Sequence, residues 1–67
     1  MKIILNTNLE EFTADSMTIR QLLDEKKFSF KLLIIKVNGI LVKKDQYEAT
    51  FIKDGDKVDV IHLMSGG

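Results

Sequence analysis

Leu32-Leu33-Ile34-Ile35-Lys36-Val37-Asn38-Gly39-Ile40-Leu41-Val42 is the stretch that decides the fold. Residues 32–37 are apolar except for Lys36 and rich in β-branched types, which reads as a strand. Alternation along it puts Leu33, Ile35 and Val37 on one face and Leu32, Ile34 and Lys36 on the other. Asn38-Gly39 then marks a tight hairpin, because both central residues of a type I′ turn need positive φ. Ile40-Leu41-Val42 is the returning strand.

Upstream lies a helix signature. Thr18-x-x-Gln21 is a capping box, in which the threonine oxygen accepts a free backbone N–H and the glutamine reaches back. Ile19, Leu22 and Leu23 follow at i, i+3 and i+4, so one stripe is apolar. Lys26 and Lys27 are expected in the last turn, complementing the helix dipole. Further upstream, residues 2–6 read as a strand turning through Asn6-Thr7-Asn8 into a weaker partner, 9–13, anchored by Leu9 and Phe12.

Downstream, residues 43–49 are polar and irregular, with room for one short helical turn and with Tyr47 tucked inward. Phe51 and Ile52 precede a second turn, Lys53-Asp54-Gly55-Asp56. A last strand, 57–63, sets Val58, Val60 and His62 on one face and Asp59, Ile61 and Leu63 on the other. The order ββαββ, loop, β predicts an α+β domain: a four- to five-stranded mixed sheet crossed by one helix. Hairpins force antiparallel pairs, while the first and last strands lie parallel at the centre, as in a β-grasp (ubiquitin-like) fold.

Composition narrows the function. Sixty-seven residues make one domain, read as a globular part, 1–63, and a flexible C-terminal tail, 64–67. A chain this short buries only about 60% of its unfolded surface. That leaves little room for an enclosed pocket and argues against a self-sufficient enzyme. Ten basic residues balance ten acidic ones, so no long-range field draws the chain to nucleic acid or an anionic membrane. With no cysteine there is no disulfide, which fits a reducing cytoplasm. His62 is the only histidine, too little for a zinc site. Asp54, Asp56 and Asp59 lack the spacing of a calcium loop and read as turn chemistry. The apolar run 1–5 is too short for a signal peptide or a membrane span.

Met1-Lys2-Ile3, Thr18-Ile19-x-x-Leu22-Leu23, Val37-Asn38-Gly39, Val42, Asp54-Gly55-Asp56-x-Val58 and Gly66-Gly67 occur in that order. Together they resemble the ThiS family, the β-grasp sulfur carriers of thiamine thiazole synthesis and relatives of MoaD and ubiquitin. The resemblance covers essentially the whole chain. Lys43 departs from it, standing where members often carry proline, and the neutral charge is less acidic than that of many such carriers.

The resemblance implies that a ThiF-like enzyme adenylates the Gly67 carboxylate with ATP and that a sulfur donor converts it to a thiocarboxylate. A ThiG-like thiazole synthase then takes the sulfur. The chain would bind no cofactor or metal itself, contribute no catalytic residue, and act as a cytoplasmic monomer. Gly66, with Ser65 and Met64 before it, would thread a narrow channel, since glycine has no Cβ to obstruct passage. Partner docking is expected on the sheet face beside the tail, through Ile61 and Leu63 with Ile34; burial of these residues in a small core is the alternative. Three other functions share the fold: a MoaD-like carrier for molybdopterin or cysteine synthesis, a ubiquitin-like modifier joined through Gly67 to lysine, and an interaction module with an inert tail.

Overall fold

The computed structural model describes residues 1–28 and 32–63. Its elements are β1 (Lys2–Leu5), β2 (Asn8–Glu11), β3 (Ser16–Thr18), α1 (Ile19–Glu25), β4 (Leu33–Val37), β5 (Ile40–Val42), a single 3-10 turn (Lys44–Gln46), β6 (Phe51–Lys53) and β7 (Lys57–His62). Five strands form the main sheet in the order β2-β1-β7-β4-β5, and β3 and β6 make a separate two-stranded ribbon. As expected, β1 and β7 run parallel at the centre, and the other neighbours in the main sheet are antiparallel.

The two hairpins of the main sheet share one turn geometry. Asn38 and Gly39 have φ of 52° and 82°, as the Asn-Gly signal requires. The first hairpin does the same with Asn6 (48°) and Thr7 (69°). Threonine is β-branched and resists this region, so Thr7 is held there by the register Leu5↔Asn8 that closes the turn. Strand β2 is shorter than expected, Asn8–Glu11, and its Leu9 is 66% exposed rather than an anchor. Phe12, just beyond, does pack against the core.

Helix α1 begins as the capping box dictates: the Gln21 N–H donates to Thr18 Oγ1 at 3.1 Å, and the Thr18 N–H donates to Gln21 Oε1 at 2.9 Å. Its end differs from the sequence expectation. The helix stops at Glu25, with Lys26 as its C-cap and Lys27 beyond it at φ 58°, so neither lysine lies in the last turn. The Phe28 N–H donates to the Leu23 carbonyl and the Lys27 N–H to that of Asp24, at 2.8 and 3.2 Å. This is a complete Schellman closure, with lysine in the place glycine usually takes. Lys26 Nζ instead donates to Glu10 Oε1 at 2.8 Å, tying the helix end to β2.

The core lies between α1 and one face of the main sheet. Ile3 and Leu5 of β1, Ile35 of β4, and Val58 and Val60 of β7 meet Ile19, Leu22 and Leu23 of the helix. Val42 and Tyr47, with Met17 and Ile52 of the ribbon, complete it. The Arg20 guanidinium sits 5.5 Å from the centroid of the Tyr47 ring, a cation–π contact over a buried phenol.

Candidate functional site: the outer sheet face at the root of the tail

The residues expected to carry the sulfur and thread a partner, Met64, Ser65, Gly66 and Gly67, lie outside the described residues. The strand that precedes them, β7, is held on both sides. On the β4 side the ladder runs from Val37↔Val58 to Leu33↔His62, and the Leu63 N–H extends it by donating to the Leu32 carbonyl at 3.0 Å. On the β1 side the parallel ladder ends at Leu5↔Val58. There Asn6 takes over: its side-chain oxygen accepts the Val60 N–H at 2.8 Å.

A second polar clamp fixes the start of β7. Asn38 Oδ1 accepts the Lys57 N–H at 2.9 Å, and Asn38 Nδ2 donates to Asp56 Oδ1 at 3.0 Å. Asp56 Oδ2 also accepts the Lys53 N–H at 2.9 Å, so the only buried charged side chain among the described residues, 8% exposed, has donors on both oxygens. Asp54 Oδ1 accepts the Lys2 N–H at 2.7 Å. Asp56 therefore does the turn chemistry expected of it, whereas Asp54 reaches across to β1 and Asp59 lies within β7 opposite Lys36. Sequence reasoning read Asn6 and Asn38 only as turn formers and missed their reach across to β7.

The three residues expected to dock a partner share the face of the main sheet away from the helix. Ile34 stands directly opposite Ile61, and Leu63 lies two residues further on. Ile61 is 44% and Leu63 42% exposed, while Ile34 is half-buried between neighbours. Leu32 and Leu41 are exposed too and widen the patch. A shallow groove of about 420 Å³ opens at the edge of this patch, between Leu32, Ile34, Leu41 and Leu63 of the outer face and Val42 and Tyr47 of the core side. Ile61 lies beside this groove rather than in it. Leu41 was legible in the sequence, since the residue after it, Val42, turns inward and a strand alternates.

The patch is the contiguous apolar surface that a docking face would need. The described residues of this face offer shape and apolar area. His62 is exposed at the end of β7, opposite Leu33. Among the described residues, no three His, Cys, Asp or Glu side chains gather as a metal site. No helix among them is long and apolar enough to cross a membrane.

A sheet in this order, with parallel central strands, a single crossing helix and a C-terminal strand clamped from both sides, defines a β-grasp domain. The crystal structure of the thiamine biosynthesis protein ThiS from Geobacter metallireducens superposes with a TM-score of 0.89 at 28% identity, covering 100% of both chains. The sulfur carrier protein ThiS of Bacillus subtilis is 27% identical over 63 residues, 94% of this chain and 96% of that one. A thiazole synthase from Paramagnetospirillum magneticum is 31% identical over all 67 residues, of which this chain spans only 20% of the length. The ThiS family model matches residues 3–67. The chain belongs to the ThiS family.

Proposed function

We propose that this chain carries sulfur for thiazole formation in thiamine biosynthesis, as a thiocarboxylate on Gly67. The observation that carries the reading is the extent of the family match, which runs to Gly67 itself. A carboxylate is a poor acyl electrophile because it is anionic and resonance-stabilised. Attack of its oxygen on the α-phosphorus of ATP expels pyrophosphate and leaves an acyl adenylate, whose AMP is a good leaving group. Hydrosulfide delivered by the sulfur donor then adds at the carbonyl carbon, AMP departs with the C–O bond electrons, and the terminus holds –COSH.

The chain supplies no catalytic group to these steps. A ThiF-like adenylating enzyme provides them, ATP and the sulfur donor are that enzyme's substrates, and a ThiG-like thiazole synthase receives the sulfur. The likeness of this whole chain to part of one thiazole synthase supports that last pairing. The carrier works as a cytoplasmic monomer. Its contribution is the docking face of Ile34, Ile61 and Leu63, and a tail of Met64, Ser65, Gly66 and Gly67 slim enough to enter a partner. The absence of cysteine leaves no internal thiol to compete for the activated carbonyl.

The test is the intact mass of the chain after incubation with ATP, the adenylating enzyme of its own host and a sulfur source. Exchange of one oxygen for sulfur, mapped to Gly67, is expected. An unchanged mass, with the enzyme active on another carrier, overturns the proposal. Gly66→Val is expected to abolish the exchange while leaving the melting temperature unaltered; normal turnover of that variant would remove the threading role.

A further inference from the structure

The chain is neutral, but its faces are not. Alternation from buried Ile3, Ile35, Val42 and Val58 sets Lys2, Lys36, Lys43 and Lys57 on the outer face of the main sheet, and Lys44 follows Lys43 in the wall of the groove at the edge of that face. The carboxylates on that face are Glu11 and Asp59, placed by the register pairs Lys2↔Glu11 and Lys36↔Asp59. Among the described residues, these five lysines on the face and at its edge against two carboxylates leave about +3. Among the other described residues four basic side chains stand against eight acidic ones, about −4.

The charge is also unevenly spread along the strands. Glu11 is paired with Lys2 at 4.0 Å, at the end far from the tail. Asp59 faces Lys36 in the middle rungs. Beyond them, around Ile34, Ile61 and Leu63, stand Lys43 and Lys44, with no further carboxylate on the face among the described residues. Asp45, next to Lys44 in the chain, does not line the groove. Among the described residues neither lysine makes an ion pair. Their side-chain ammonium groups make no hydrogen bond among the described residues: it is the Lys43 backbone N–H that donates to Gln46 Oε1 at 3.0 Å.

We infer that the partner surface received by this face presents an apolar side chain ringed by Asp and Glu, and that Lys43 and Lys44 select for it. This rests on the docking reading above and adds the chemistry of the partner. Apolar contact at the centre supplies the affinity, and the two lysines at the rim supply encounter rate and discrimination. They remain solvated until a complementary rim arrives, so they are not desolvated unpaired. A partner with a basic rim meets repulsion at the place where the tail must enter.

The experiment measures carrier-dependent pyrophosphate release by the host's adenylating enzyme, as a function of carrier concentration and salt. For the wild-type chain, KM is expected to rise several-fold between about 50 and 500 mM NaCl, as screening shortens from roughly 14 to 4 Å. The variant Lys43→Glu/Lys44→Glu is expected to raise KM at low salt by about tenfold or more with kcat within twofold, and to lose the salt dependence. Lys53→Glu makes the same kind of charge change on β6, off this face, and is expected to leave KM within twofold. Equal melting temperatures for all three establish that the fold is intact. A double variant with wild-type KM overturns the inference while the carrier function stands. No pyrophosphate release from the wild-type chain, with the enzyme active on another carrier, overturns both.

Discussion

Ile34 and Ile35 are neighbours in β4, and Val60 and Ile61 are neighbours in β7, yet the members of each pair end on opposite sides of the main sheet. Ile35 is fully buried under α1 and Val60 nearly so, whereas Ile61 is 44% exposed on the far side. Hydrophobicity alone does not separate them; the parity of their positions does. The helix side spends its apolar residues on stability. The outer side leaves Ile61, Leu63, Leu41 and Leu32 in water, and a domain of this size gains nothing in stability from that exposure. What distinguishes the faces is therefore what removal of a side chain changes.

The comparison breaks most violently at Ile35. Ile35→Ala leaves a cavity beneath the helix and is expected to cost about 2–5 kcal/mol, a large share of what so small a domain has; urea denaturation reads it. Next comes Asp56→Ala, which deprives Asn38 Nδ2 and the Lys53 N–H of their acceptor and is expected to cost about 1–3 kcal/mol in the same assay. Thr18→Ala removes half of the capping box and is expected to cost about 1 kcal/mol, seen as a modest drop in melting temperature. Smallest in stability is Leu63→Ala, within about 0.5 kcal/mol. That variant is nonetheless expected to weaken binding to the adenylating enzyme by about tenfold, read by calorimetry. A large melting loss at Leu63 would move it to the core side and erase the distinction between the faces.

The parts of the fold written in local sequence were legible. Asn38-Gly39 and the Thr18–Gln21 box each place several backbone groups without help from afar, and both formed as read. Strand β3 was not legible. It has three residues, only Met17 of them apolar, and pairs with β6 some thirty-five positions later through Met17↔Ile52. Nothing local signals such a ribbon. Lys27 was misplaced for a related reason: lysine has no preference for positive φ, and the Schellman closure is enforced by Phe28 packing against the core. For the candidate site, alternation found Ile61, Leu63 and Ile34. It could not show that Asn6 and Asn38 reach across to clamp β7, because a side chain's partner fifty-four positions away is a property of the assembled sheet.

That clamp has a geometric consequence. With the Leu63 N–H bonded to Leu32 and Val60 bonded to Asn6, the strand is tied to its neighbours up to the residue before the tail. From Leu63 to Gly67 there are four residues, and a fully extended chain covers at most about 14 Å in that distance. On the proposed reading this makes the carrier a ruler. Any enzyme that grips the outer face must hold its reacting centre within that radius of Leu63, and two enzymes that use the same carrier in turn must agree on the measurement.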